Sequence, residues 1–102
     1  VKTYVGPGHV TFASKVSSPA TPVFDNTVTG WSIARTAAGE WTVTHPIGDT
    51  NYTVQLTSEM DVIANQRIIT AGSLGSTTFT VNIRNSSGVG QDDPFHIMVW
   101  EY

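Results

Sequence analysis

The sequence contains one pair of adjacent carboxylates, Asp92 and Asp93, where acid-base chemistry would first be sought. Neighbouring side chains on a strand point to opposite faces, so these two could cooperate only from a loop. A glycosidase-like acid and base also need an environment that separates their pKa values, and residues 88–91, Gly-Val-Gly-Gln, supply no apolar pocket. We therefore interpret both as solvated loop carboxylates, with too few oxygen ligands nearby for a calcium site.

Three histidines, His9, His45 and His96, are far apart in the sequence and form no local metal-binding motif. The sequence also lacks a phosphate-binding loop, an H-x-x-x-H pair, a G-x-S-x-G turn and EF-hand spacing. In a trimer, however, one histidine near the threefold axis would occur three times and could bind a metal, and His96 is the best candidate. We expect no enzyme activity and no cofactor.

Sugar recognition is the chemistry for which the sequence supplies the most residues. It uses aromatic faces for the C–H side of a sugar ring and polar groups for the hydroxyls, placed on loops that a rigid sheet holds. Trp31 and Trp41 fall on the apolar phase of their strands, which favours core packing for both. The candidate ligand-binding residues are therefore polar residues of loops and strand ends, namely Asn65, Arg67, Arg84, Asn85, Gln91, Asp92 and Asp93.

Length and composition limit the fold and the partners. The 102 residues suit one domain, and only 13% are charged, well below the usual fraction of about 25%. The net charge of −3 and the absence of a basic stripe argue against nucleic acid, and no apolar run approaches the length of a membrane span. Without cysteine, stability must come from the core or from association. A chain that begins at Val1 is expected to be a fragment of a longer protein.

Strands are indicated by period-two alternation of apolar residues. We expect residues 1–30 to be an irregular lead-in with one or two short strands, part of the same unit. Residues 31–102 should form an antiparallel β-sandwich, giving six to seven strands in all. The expected elements are a hairpin over 31–45 with a turn at 37–40, a loop or irregular strand at 58–66, and strands at 52–57, 67–70, 79–83 and 95–102.

The final strand is apolar on both faces. Phe95, Ile97 and Val99 occupy one side, and the other carries Met98, Trp100 and Tyr102. A sandwich of this size buries one face of each sheet, so the second set needs another cover. Two alternatives could cover this face: the lead-in segment of the same chain, or a subunit interface. The interface is slightly favoured, with cyclic symmetry.

Four short patterns resemble the C-terminal domains of bacteriophage tail fibres and tailspikes. They are residues 37–46 (AAGEWTVTHP), 51–57 (NYTVQLT), 77–81 (TTFTV) and 93–100 (DPFHIMVW), and the likeness covers residues 39–102. The resemblance implies a homotrimer at the distal end of a fibre, in the extracellular part of the virion, that binds the host surface or promotes trimerisation.

A weaker likeness is to the H-type lectins, trimeric six-strand sandwiches that bind a sugar between protomers. Asn65 and Arg67 fall where that family has its sugar-contacting Asn and Arg, whereas its Trp-His pair is replaced here by residues 85–87, Asn-Ser-Ser. This likeness implies the fold and the trimer and leaves the ligand open.

The sequence thus predicts a trimeric receptor-binding tip that attaches to bacterial surface glycan, or to an outer-membrane protein, through its loops. Weak sites repeated three times would supply avidity. Three alternatives remain: a structural trimerisation or capping domain without a ligand, a lectin-like sugar-binding module, and a polysaccharide-degrading enzyme, for which the sequence supplies no paired site. Nucleic acid and membrane insertion are not expected.

Overall fold

The computed structural model describes residues 9–59 and 66–102. These residues form seven β-strands and no helix. The candidate Asn65 lies outside the described residues, as does most of the expected loop at 58–66. The strands are β1 (His9–Val16), β2 (Ser32–Ala37), β3 (Glu40–Thr44), β4 (Tyr52–Ser58), β5 (Arg67–Gly72), β6 (Thr78–Asn85) and β7 (Phe95–Glu101).

The strands make two antiparallel sheets that enclose one core. The three-stranded sheet has the order β1-β7-β4, and the four-stranded sheet has the order β2-β3-β6-β5. In the three-stranded sheet, Val99 lies opposite Phe12 on one neighbour and Val54 on the other. The predicted all-β sandwich is confirmed, including the hairpin and the strand count.

Alternation along each central strand builds the core. Phe79, Val81 and Ile83 of β6 are fully buried, and Phe95 and Val99 of β7 face them from the other sheet. Trp41 is also fully buried, and its Nε1 donates a hydrogen bond of 2.9 Å to the Pro19 carbonyl. The prediction that Trp31 and Trp41 belong to the core is confirmed.

A series of contacts between aromatic rings lies at one end of the core. Phe12 stacks on Trp31 with ring centres 4.1 Å apart, and Trp31 lies 5.7 Å from the buried ring of His45. His45 Nδ1 accepts from the Ile47 amide and Nε2 lies 3.1 Å from the Gly75 carbonyl, which fixes the Nε2–H tautomer. Tyr52 donates to the same carbonyl, and burial raises its pKa.

The lead-in is more regular than the sequence predicts. Residues 9–16 form an eight-residue strand that pairs with β7 along its length, with a register shift between Val10 and Phe12. The loop that follows β1 covers its outer edge. Asp25 N donates to the Lys15 carbonyl, and the side-chain amide of Asn26 donates to the Ala13 carbonyl. Prolines and glycines around this strand obscure its pattern. In addition, β5 continues to Gly72, two residues beyond the predicted strand.

The β2–β3 turn packs backbone against backbone on the end of β6 and on the loop that joins β6 to β7. The Gly39 carbonyl accepts from Ile83 N at 2.8 Å, and Gln91 N donates to the Ile83 carbonyl at 3.0 Å. Gly39 has φ +69°, and a Cβ there would lie 2.4 Å from the Ile83 oxygen. A side chain at this position would therefore separate the turn from the loop.

The close approach at Gly39 can be tested against Gly48, which has φ +82° but no heavy atom within 4 Å of an added Cβ. Alanine at either position pays a backbone strain of about 1–2 kcal/mol. We expect Gly39→Ala to cost about 1–3 kcal/mol more than Gly48→Ala, because overpacking is added to the strain. Urea unfolding of both variants measures the difference, and equal losses would contradict the packing described.

No helix in residues 9–59 and 66–102 is long and apolar enough to cross a membrane.

Candidate functional site

Six of the seven residues predicted to bind a ligand lie at one end of the sandwich. Arg67 begins β5 opposite Asn85 at the end of β6, and Arg84 bridges to Gly90 in the following loop. The same loop carries Gln91, Asp92 and Asp93 past the β2–β3 turn, where a carboxylate oxygen of Asp92 accepts from Gly39 N. We call this region the loop end; the seventh candidate, Asn65, lies outside the described residues.

Asp92 joins the β2–β3 hairpin to the β6–β7 loop. One carboxylate oxygen accepts from Gly39 N at 2.8 Å, and the other lies 2.8 Å from Nη2 and 3.0 Å from Nε of Arg35. The hydrogen bond from Arg35, aided by that from Gly39, lowers the pKa of Asp92 despite some desolvation. This carboxylate therefore stabilises the turn as an ion.

Asp93 forms an ion pair with a different arginine, Arg67. Its carboxylate lies 2.5 Å from Arg67 Nε, and the two side chains are only 13% and 11% exposed. The pair links the loop before β7 to the first residue of β5. The sequence predicts that Asp92 and Asp93 are solvated carboxylates, and the structure differs. The loop crosses the end of the sandwich and brings each carboxylate to an arginine.

The other candidates at the loop end differ in the contacts that their side chains make within the chain. Arg84 lies 3.5 Å from Glu40 in a partly exposed ion pair. Asn85 shapes its own loop, since its side-chain oxygen accepts from the amides of Ser87 and Val89. The loop end is thus largely an internal network, and a ligand would compete with existing ion pairs there.

A second surface is the outer face of the three-stranded sheet, which we call the outer face. It carries the predicted interface residues Met98, Trp100 and Tyr102, with Val10 of β1 opposite Trp100. Met98 is 36% exposed and Tyr102 is 62% exposed, whereas Trp100 is half-buried. The Trp100 indole donates a 2.7 Å hydrogen bond to the Gln55 side-chain oxygen, and the Tyr102 hydroxyl bonds to Thr53.

Three charged or titratable side chains lie at the other end of the outer face. Glu59 accepts from Lys15 Nζ at 3.0 Å and from His96 Nε2 at 3.0 Å. Lys15 is the main cause of a lowered pKa for Glu59, with His96 contributing less. We call these three residues the Glu59 cluster.

His96, the candidate metal ligand on a threefold axis, therefore has one ring nitrogen engaged by Glu59. Within residues 9–59 and 66–102, no group of three His, Asp or Glu side chains is placed to hold a metal ion. A site shared by three copies of His96 stays a prediction.

Between the apolar residues and the Glu59 cluster runs a groove with a volume of about 640 Å³. Its wall residues come from all three strands of the sheet: Ala13, Ser14, Gln55, Leu56, Thr57, His96, Ile97 and Met98. The alternation of Gln55 and Thr57 with Val54 and Leu56 in the sequence puts the two polar residues on one face of β4. It does not reveal the groove, because nothing local to β4 indicates that it pairs with β7.

Comparisons with protein-family models, with curated proteins and with solved structures give no match to this chain.

The ion pair of Asp92 predicts a pH-dependent stability. A lowered folded-state pKa means that the contribution is present at neutral pH and is lost as the pH falls through that pKa. We expect Asp92→Asn to reduce the free energy of unfolding at neutral pH by about 1 kcal/mol or less, since the pair is partly exposed. The difference from wild type should shrink on acidification.

Asp49→Asn is the matched control, because Asp49 also accepts from a backbone amide, that of Asn51, but forms no ion pair in the described part of the chain. Urea titrations at neutral and acid pH compare the three proteins. A difference for Asp92→Asn that persists unchanged in acid would contradict a role for its charge.

Proposed function

We propose that this domain is the receptor-binding tip of a bacteriophage tail fibre or tailspike, a homotrimer on the virion that attaches to bacterial surface glycan. The observation that carries the proposal is the division of the outer face. One half exposes apolar side chains that suit assembly, and the other half is a groove lined by both polar and apolar residues that suits a ligand. An outer-membrane protein is the other class of receptor.

Support for assembly comes from the apolar half of the outer face. Val10, Met98 and Tyr102 are exposed there beside the half-buried Trp100, although β7 already supplies Phe95, Ile97 and Val99 to the core. Contiguous apolar surface of this kind is typical of association sites. The proposed occupant is a second copy of this chain, repeated around a threefold axis as the resemblance to tail fibres implies.

Support for attachment comes from polar groups held on rigid strands. Strands position side chains more accurately than loops do, and three copies of a weak site would give avidity without new contacts. The carboxylates of Asp92 and Asp93 also favour binding over hydrolysis, because each is paired with an arginine instead of being placed as a catalytic acid or base.

A structural trimerisation or capping domain is the second candidate. The observation that favours it is the loop end, where Asp92, Asp93 and Asn85 are engaged within the chain. Such a domain would assemble but would recognise no bacterial surface.

The assembly is tested by sedimentation equilibrium. Wild type should have three times the mass of the 11.0 kDa chain, and Val10→Thr with Tyr102→Thr should shift it to monomer, because both changes remove exposed apolar surface outside the groove while threonine keeps the strand propensity. Ile68→Thr with Val89→Thr is the control, since these residues are also exposed apolar side chains, at 60% and 56%, but lie away from the outer face. A wild-type monomer at high concentration would contradict the trimer.

Attachment is tested by binding of the same three proteins to immobilised lipopolysaccharides and capsular polysaccharides. Wild type and control should bind at least one polysaccharide, and the monomeric variant should bind it about 100-fold or more weakly through lost avidity. Assembly without binding to any bacterial surface would favour the capping domain instead.

A further inference from the structure

The groove on the outer face has the size and the location of a small-ligand site. Its volume of about 640 Å³ lies within the range of roughly 300–1,000 Å³ typical of such sites. It crosses the row in which Ala13 and Gln55 flank Met98, and the next row, in which Lys15 and Thr57 flank His96. The small side chain of Ala13 leaves space at the floor of the groove.

The polar groups of the groove are able to both donate and accept hydrogen bonds. Gln55 has its oxygen engaged by the Trp100 indole at 2.7 Å, which directs the amide NH₂ away from that bond. The Thr57 hydroxyl and His96 Nδ1 have no hydrogen-bond partner in the part of the chain that the structure describes. With Met98 and Ala13 between them, donors and acceptors alternate with C–H surface.

The charges beside the groove are balanced. Glu59 neutralises Lys15 in the Glu59 cluster, and the same carboxylate occupies His96 Nε2. An anionic ligand would have to displace Glu59 to reach Lys15 Nζ or His96 Nε2, and a cationic ligand would meet a carboxylate that is already engaged. The groove therefore suits an uncharged polar ligand.

We propose that the groove binds a neutral saccharide, whose hydroxyls pair with Gln55, Thr57 and His96 while its C–H face lies on Met98. The inference rests on the proposed function for the source of the sugar, a bacterial surface glycan. It differs from the loop-based expectation in placing the contacts on the sheet, where the Gln55 amide, the Thr57 hydroxyl and His96 Nδ1 are not engaged by a carboxylate of the described residues.

The three indole N–H groups provide a direct test by nuclear magnetic resonance of the ¹⁵N-labelled domain. Neutral sugars (glucose, galactose, mannose, rhamnose, N-acetylglucosamine and N-acetylgalactosamine) and the acidic sugars glucuronate and N-acetylneuraminate are titrated separately. At least one neutral sugar should shift the Trp100 indole and the amides of Ala13, Thr57 and Met98. The buried Trp41 indole, bonded to Pro19, should not move.

Thr57→Val removes the hydroxyl and keeps the shape and strand propensity, so it should weaken that sugar about fivefold to tenfold, the value of one neutral hydrogen bond. Thr42→Val, on the outer side of the four-stranded sheet opposite Thr80, is the matched control and should bind as wild type does. Equal affinity for Thr57→Val and Thr42→Val would overturn the assignment.

Two further results would overturn it: no shift of groove amides with any neutral sugar, or shifts at Gly39, Asn85 and Gly90 that assign the sugar to the loop end. Tighter binding of an acidic sugar would overturn the neutral class. The mass of the domain in solution distinguishes a failure of the saccharide site from a failure of the proposed trimer. A trimer without groove shifts refutes the saccharide site alone. A monomer with groove shifts refutes the trimer alone.

Discussion

The last strand, β7, hydrogen-bonds to β1 on one side and to β4 on the other, and most features of the molecule depend on this double pairing. It places Phe95, Ile97 and Val99 against the four-stranded sheet, where they complete the core. Because side chains alternate along a strand, it also fixes His96, Met98 and Trp100 on the outer face. A register slip of one residue in β7 would exchange these two sets.

The loop end and the outer face use polar residues in different ways. At the loop end, the carboxylates of Asp92 and Asp93 hold segments that are distant in sequence, namely the β2–β3 turn and the start of β5. Such ion pairs shape the end of the sandwich and leave little unpaired charge for a ligand. On the outer face, the Gln55 amide and the Thr57 hydroxyl lie on strands that the core already holds, so the backbone that carries them is ordered before a ligand binds.

The outer face also brings assembly and recognition close together in the proposed function. The apolar half contains Val10, Trp100 and Tyr102, and the groove begins at Met98 one row away. The hydrogen bond from Trp100 to Gln55 joins the two halves. A second copy seated on the apolar half would therefore lie beside the groove, so that association and ligand binding could influence each other through Gln55.

The sequence alone determined the all-β class, the inward set of β7, and the core positions of Trp31 and Trp41, because alternation is a local property that each strand carries. It also identified the two-faced final strand. Only the tertiary structure decided that residues 9–16 form a full strand, that Asp92 and Asp93 face separate arginines, and that a groove crosses Ala13, Met98 and Gln55. These features depend on which strands become neighbours, and strand pairing joins residues up to about ninety positions apart, such as His9 and Glu101, that no local pattern connects.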